Sequence, residues 1–317
     1  MRNAWIKTLT TEAKKKPDII LIVGDLGFAV IEEFRAKFPN QFLNAGVAEQ
    51  NMTGIAAGLA LSGKTVFTYS IGNFTTLRPL EQIRNDICYH NANVKIISVG
   101  GGFDYYSLGP THHATEDLAI IRSLPNMTVV APGDPVEAKL ATRAIIKHKG
   151  PCYLRLGRAP IIHQKKPKFK IGQAITVLYG NDLTLIATGG MLAEAAQTAK
   201  ILSKQHINAR VLSMHTIKPI DKQAIIKSAK ETKAIFTLED HQITGGLGSA
   251  VAEVLALYPS EASGTGLSES QNNAILFKRF GIPDIFIKDI GSVKYIKKKL
   301  GLTAAQISKQ IMKLVTK

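Results

Sequence analysis

Gly46-Val47-Ala48-Glu49-Gln50-Asn51-Met52-Thr53-Gly54-Ile55-Ala56-Ala57-Gly58 is a stretch of small residues with one carboxylate at its front. Met52, Ile55, Ala56 and Leu59 return every three or four residues, the period of one apolar helix face, and Asn44 and Gly46 stand where such a helix would begin. The reading is a tightly packed helix with Glu49 near its N-terminal turn. Gly54, Ala56, Ala57, Gly58 and Ala60 would let another backbone approach closely, which suits a buried helix at a subunit contact. Glu49 alone has an ordinary explanation, because an acidic residue in the first turn complements the helix dipole.

Outward from this helix the chain alternates between short apolar runs and amphipathic stretches. A helix is expected over 4–16, a strand over 18–23 ending in Gly24-Asp25, a helix near 28–38 and a short strand at Phe42-Leu43. After the Glu49 helix come a strand at 65–70, a helix at about 79–90, strand 94–99, helix 114–123, strand 127–131, helix 135–147 and strand 152–156. The polar, basic stretch His163 to Lys170, with Pro167 inside it, breaks the alternation and reads as a linker. Beyond it, strands are expected at 174–179, 183–188, 209–213 and 234–239, and helices at 191–205, 221–230 and about 247–258. Ser260 to Asn273 reads as a polar loop. Such alternation predicts an α/β fold of two domains, 1–165 and 173–317, each a mostly parallel sheet flanked by helices, the second smaller.

Composition bounds the function less tightly. The 317 residues, 45% apolar, suffice for two real cores. A net charge of +16 is compatible with nucleic acid, an anionic surface, an acidic partner or phosphorylated substrates. The lysine runs 14–16, 165–170 and 294–299 are scattered and carry no nucleic-acid signature, so they read as solvated faces and no nucleic acid is expected. Cys88 and Cys152 suggest neither a disulfide framework nor a metal site, which fits a reducing cytoplasm. No segment reaches the roughly 18 apolar residues a membrane helix needs, and none is read as a membrane anchor. Tandem His112-His113 lacks companion ligands, and adjacent side chains diverge, so no zinc site is read there.

GVAEQNMTGIAAGLALSG (46–63), Glu81-Gln82-Ile83-Arg84, Gly109-Pro110-Thr111-His112 and Met127-Thr128-Val129-Val130-Ala131-Pro132 occur in order, and together they resemble the transketolase family. The likeness can be followed from about Asp18 to Val254. It implies that 1–165 is a pyrimidine-binding domain for thiamine diphosphate and 173–317 a transketolase C-terminal-like domain. It also implies that Glu49 is the catalytic glutamate that hydrogen-bonds a ring nitrogen of the cofactor's aminopyrimidine. A carboxyl group in an apolar pocket resists ionisation and can share a proton with a weakly basic ring nitrogen. The cofactor itself carries the carbon chemistry. By the same resemblance Phe74 stacks on the pyrimidine, with aliphatic Ile71 and Leu77 where the family has other aromatics. His112 is a catalytic and substrate-contacting histidine, and Arg158 binds the sugar phosphate.

Departures from the family pattern bear on substrate and on assembly. Leu108 stands where an Asp is usual, Gly100 where a His is usual and Ala29 where a Ser is usual, so three polar substrate contacts are missing. No Gly-Asp-Gly segment with a following Asn is present to hold magnesium and the diphosphate; Gly24-Asp25-Leu26-Gly27 is the nearest string and ends a strand of the wrong domain. Hence the expected partner is an N-terminal transketolase subunit carrying the diphosphate-binding domain and the magnesium ligands, in a heterotetramer of two of each. The expected activity is transfer of a two-carbon ketol unit between small-molecule sugars. Two alternatives stay open from the sequence: the β subunit of a 2-oxo acid dehydrogenase, and a basic scaffold or nucleic-acid-binding protein. Gly100-Gly101-Gly102 reads as a tight turn, and Gly245-Gly246-Leu247-Gly248 as a closely packed helix start that could otherwise receive an anion.

Overall fold

Ile19–Val23 (β1) reads Ile-Ile-Leu-Ile-Val, a run with no polar face, and a strand of that kind needs cover on both sides. The computed structural model, which describes residues 1–263 and 275–315, gives it that cover. β1 lies between Phe42–Asn44 (β2) and Thr65–Ile71 (β3), parallel to both. Val94–Val99 (β4), Cys152–Leu156 (β6) and Thr128–Val130 (β5) extend the sheet from β3 in that spatial order, all parallel.

Alternate residues of these strands feed two cores. Leu21, Val23, Phe67, Ile97 and Leu154 face the helices Arg2–Ala13 and Pro135–Lys147, with Trp5, Leu9, Ala141 and Ile145 packed on them. Ile22, Val66, Ile96, Val129 and Tyr153 face the other way, onto Met52 and Ala56 of the helix Glu49–Leu61, Ile83 and Ile87 of 80–89, and Leu118 and Ile121 of Asp117–Ser123.

A second sheet has the spatial order β12-β11-β8-β9-β7, built from Ile175–Leu178 (β7), Leu183–Ala187 (β8), Ala209–Ser213 (β9), Ala234–Gln242 (β11) and Leu276–Ile282 (β12). Only the edge strand β7 runs antiparallel in it. One face is covered by Met191–Ser203 and Ala304–Val315. The other face contributes Ile186, Leu212 and Ile235 to the same core that Met52, Ile83 and Leu118 occupy. The two sheets therefore share an apolar interior.

Thr216–Lys218 (β10), which the sequence reading left unassigned, strengthens this union: it leaves the second sheet and pairs antiparallel with β5, so the first sheet ends in a strand from the second half of the chain. A buried ionic cluster lies at the same junction. Arg155 on β6 donates from Nε to Asp117 Oδ2 at 2.8 Å and from Nη1 to Asp240 Oδ1 on β11, and the Tyr153 hydroxyl donates to the same Asp117 oxygen at 2.7 Å. Its guanidinium charge is favoured overall, since Asp117 and Asp240 outweigh the burial that opposes it.

Several expected elements differ. The helix read over 28–38 is confined to Glu32–Lys37, because Ala29 adopts φ 59° and the backbone turns there. The helix read at 79–90 is a short turn at Leu80–Gln82 running into a π-helical Ile83–Tyr89. Gly72–Leu77 forms a helix that the sequence reading did not place. Gly72 makes it possible: a Cβ there would lie 2.7 Å from that of Ala114, so only glycine lets the helix start so close to the loop after β4. The helix expected to end at 258 continues to Ser263, absorbing Ser260 of the expected 260–273 loop; positions 264–273 of that loop lie outside the described residues. No helix among the described residues is long and apolar enough to cross a membrane.

Candidate active site

In an open parallel sheet the crevice for a ligand forms at the carboxyl ends of strands, where successive connections leave in opposite directions. Here the connection from β1 goes outward to β2, and the chain then returns to the other side of β1 as β3. Gly24 at the end of β1 and Ser70 on β3 flank that point, and Glu49 lies between them. Its residue is 2% exposed.

Two polar partners hold the carboxylate. Ser70 Oγ donates to Glu49 Oε1 at 3.0 Å, and Arg78 Nη1 donates to Oε2 at 2.9 Å. The expectation of an apolar surround is therefore corrected: the strand end supplies a hydroxyl and the segment after helix 72–77 supplies a guanidinium. Neither residue stands out in the sequence. Their signal is weak, because each becomes a neighbour of Glu49 only when β3 pairs with β1. Arg78 has a second contact, its guanidinium carbon lying 3.8 Å from the centroid of the Phe74 ring.

Phe74 and His112 come together as well. Their rings meet edge to face with centroids 5.1 Å apart. Asn73 Nδ2 donates to the Thr111 carbonyl at 2.7 Å, so the turn carrying His112 is pinned to the helix carrying Phe74. His112 Nδ1 pairs with Thr111 Oγ1 at 3.0 Å, so the ring engages that hydroxyl through Nδ1 and not through Nε2. His113, next in sequence, is buried instead, and burial, with the charge of His112 adding to it, lowers its pKa. Ile71, at the end of β3, is half-buried.

Arg158 stands apart from this group. It is exposed, and it shares a cavity of about 260 Å³ with Gly100, Asp104, Tyr105 and Gly157. Tyr105 connects the two regions, its ring centroid 6.5 Å from that of His112. The absence of the usual histidine at Gly100 has a physical reason here: Gly100 has φ 81°, and a Cβ on it would fall 2.0 Å from the Tyr105 ring. The phenol ring therefore crowds the space above Gly100, and the triple glycine is a turn packed against Tyr105, Arg155 and Asp240. Asp104 fixes the Arg158 turn by accepting its backbone N–H at 2.5 Å. Burial first, then the charge of Asp240, push the Asp104 carboxyl up to about 7, with the Arg158 N–H pulling the other way.

The helix start at Gly245–Gly248 holds a carboxyl group supplied by the chain itself. Glu239, fully buried, accepts the backbone N–H of Leu247 at 2.7 Å and of Gly248 at 2.8 Å. Among the described residues no group of three or more His, Cys, Asp or Glu is arranged to hold a metal ion.

Two family profiles divide the chain. "Transketolase, pyrimidine binding domain" matches residues 1–161, and "Transketolase, C-terminal domain" matches residues 172–307. The chain belongs to the transketolase family. It is 40% identical to a "Putative transketolase C-terminal section" of Methanocaldococcus jannaschii over 100% of this chain and 96% of that protein. It is 36% identical to the "6-deoxy-6-sulfo-D-fructose transketolase subunit SqwH" of Clostridium sp. (strain MSTE9), over 97% and 92% respectively. Human transketolase is 35% identical across 89% of this chain, which spans 46% of that longer protein. Among solved structures, one described as "Split gene transketolase, inactive beta4 tetramer" superposes with a TM-score of 0.85 at 36% identity, covering 99% of this chain and 97% of its own. These relatives favour transketolase over a 2-oxo acid dehydrogenase subunit. The expected fold, two mostly parallel α/β domains in this order, is the one observed.

Proposed function

We propose that this chain is the half of a thiamine diphosphate-dependent transketolase that holds the pyrimidine end of the cofactor and much of the substrate channel. In this reading it transfers a two-carbon ketol unit between sugars once an N-terminal subunit, bringing the diphosphate-binding domain and the magnesium ligands, completes each site. The complex would be a heterotetramer of two of each chain. The observation that carries the reading is the buried Glu49 carboxylate at the strand switch point, linked through Arg78 to the Phe74 ring, which in turn meets His112.

The residues fit a planar nitrogen base. A guanidinium, itself a planar set of nitrogens, already hydrogen-bonds Glu49 and lies on Phe74 at 3.8 Å, so carboxylate and ring are spaced to hold such a group from its edge and its face. Thiamine diphosphate, when bound, supplies the carbon nucleophile and the electron sink. The chain's own work is to hold and exchange a proton at Glu49 Oε2, keep Oε1 on Ser70, and present His112 Nε2 to the substrate's oxygen. Arg158 attracts an anionic group at the far end of the channel.

A partner surface is available beside the site. Only one face of helix Glu49–Leu61 is buried; Asn51, Gly54, Gly58 and Leu61 are exposed, nothing lies within 4 Å of a Cβ placed on either glycine, and Val47 next to the helix is 69% exposed. The substrate is read as something other than the ordinary pentose phosphates. Leu108, Gly100 and Ala29 offer no polar side-chain contacts, and a buried substrate hydroxyl left without a partner costs about 1–3 kcal/mol. The relative named for 6-deoxy-6-sulfo-D-fructose agrees with that direction.

The test is reconstitution. Co-purified with its native N-terminal partner, the chain should retain thiamine diphosphate and catalyse two-carbon transfer, while each chain alone does neither. A reconstituted complex that carries no thiamine diphosphate would overturn the reading. One that prefers xylulose 5-phosphate with ribose 5-phosphate would overturn its substrate part.

A further inference from the structure

The contacts that would seat an aminopyrimidine are already made, by Arg78. Its Nη1 donates to Glu49 Oε2 at 2.9 Å, and its guanidinium carbon is 3.8 Å from the Phe74 centroid. One carboxylate oxygen and one ring face are thus engaged together by a single planar, nitrogen-bearing group. The two partners of the ion pair differ sharply in exposure: the Glu49 side chain is 1% exposed and the Arg78 side chain 44%. The carboxylate belongs to the floor of the site, whereas the guanidinium reaches it from solvent. Arg78 also follows the last residue of a six-residue helix and sits just before Pro79, a place where a side chain can swing without unpicking a long hydrogen-bonded segment.

We propose that Arg78 is a displaceable occupant of the pyrimidine seat, so that cofactor entry is an exchange in which an aminopyrimidine replaces the guanidinium on Glu49 and Phe74. The proposal rests on the function argued above. Its chemical basis is that arginine keeps its proton at any ordinary pH. While Arg78 holds Oε2, that oxygen is paired with a donor that never transfers, and the proton exchange required of Glu49 cannot run. Arg78 in place describes a site that is folded, neutralised and idle; Arg78 displaced describes one ready for use. The residue protects a buried carboxylate from standing unpaired before the partner and cofactor arrive, when that would cost most.

Competition has a measurable consequence, because a ligand's apparent affinity falls by the fraction of time its seat is open. The probe is the pyrimidine alone, 4-amino-5-hydroxymethyl-2-methylpyrimidine, titrated into the full chain by ligand-detected NMR. Arg78→Ala should bind it roughly tenfold more tightly than the wild type, the factor for a seat closed about nine-tenths of the time. Arg78→Lys, which keeps the charge but loses the planar stack, should fall between them, and Glu49→Gln should bind less well than the wild type. Thermal melts of all four proteins establish that each is folded. Equal or weaker binding by Arg78→Ala, or no binding by either protein, would overturn the proposal and make Arg78 a support for Glu49. Thiamine diphosphate binding to the reconstituted complex separates the two claims. If the complex binds it in a Glu49-dependent way while Arg78→Ala gains nothing, only the exchange is wrong. If the complex does not bind it, the functional reading is wrong and the exchange falls with it.

Discussion

Two buried glutamates, Glu49 and Glu239, each sit against the start of a helix, and they are held in opposite ways. Glu239 is closed in by backbone: the N–H groups of Leu247 and Gly248 donate to its two oxygens, and a Cβ on Gly246 would lie 2.0 Å from Oε2. Burial disfavours its charge, and His241 and those N–H groups favour it; the balance leaves its pKa above the ordinary carboxylate value. Glu49 is held by two side chains, one of them nearly half exposed, and glycine at position 24 leaves room beside Oε1. Backbone donors cannot leave without unwinding a helix, whereas an arginine side chain can. The same residue type therefore serves as a fixed strut in one domain and as a group open to exchange in the other.

Removing each carboxylate in turn tests the contrast. The largest effect should be on catalysis: Glu49→Ala in the reconstituted complex should lower the two-carbon transfer rate about 10²–10⁴-fold, the usual contribution of a positioned acid–base group. A rate within a few-fold of wild type would reduce Glu49 to a helix-terminal charge. Next comes Glu239→Ala, which leaves two buried amides unpaired and should cost about 2–5 kcal/mol of stability, read as a lower urea midpoint. Unchanged stability would show that water can replace the carboxylate and that the strut reading is wrong.

A smaller effect, on pH dependence, involves a third buried acid. Asp104 is pushed up to about 7 by burial and by Asp240, above its usual 3.8. Between those values the folded chain holds a proton there that the unfolded chain has lost, so this group's contribution to stability falls as pH rises from about 4 to about 7, by at most about 1.4 kcal/mol per unit. Asp104→Asn, which stays neutral, should melt with a flatter pH profile than wild type across that window. Parallel profiles would mean that Asp104 ionises as it does in the unfolded chain. The smallest effect closes the comparison: Glu49→Ala should change stability by only about 1 kcal/mol, because water can solvate the half-exposed Arg78 it leaves behind.

Glu49 and His112 stand in stretches whose wording is specific, and Phe74 was placed by the resemblance; the structure brings the three into one neighbourhood through Arg78 and a ring contact. The residues that complete their surroundings carry no such wording. Ser70 is an ordinary serine in a strand and Arg78 an ordinary arginine after a leucine; they meet Glu49 only through pairings between segments 21 and 29 residues away. The π-helical turn at Ile83–Tyr89 has the same apolar spacing as an α-helix over so short a length, and periodicity alone reads it as one. Long runs such as β4 and Pro135–Lys147 were placed at their observed bounds, since strong patterns and, at Asp134, an N-cap that accepts the Glu137 amide leave little choice. Beyond residue 258 no strand or helix was expected, although Ala304, Ile307, Ile311 and Leu314 keep the helical period that buries one face of Ala304–Val315; β12 and Val293–Lys299 were likewise unassigned.

The three-residue strand β10 sets a limit on how the polypeptide can be dissected. A fragment ending anywhere in 163–170 would carry an uncapped β5, a bare row of amides and carbonyls flanked by valines, and such an edge recruits strands from other molecules. The second fragment would meanwhile lose the surface against which Met214 and Ile217 are buried. A protease nick within 163–170 should leave two pieces that co-purify, and expressing the front piece alone should yield aggregates in place of a working pyrimidine-binding module.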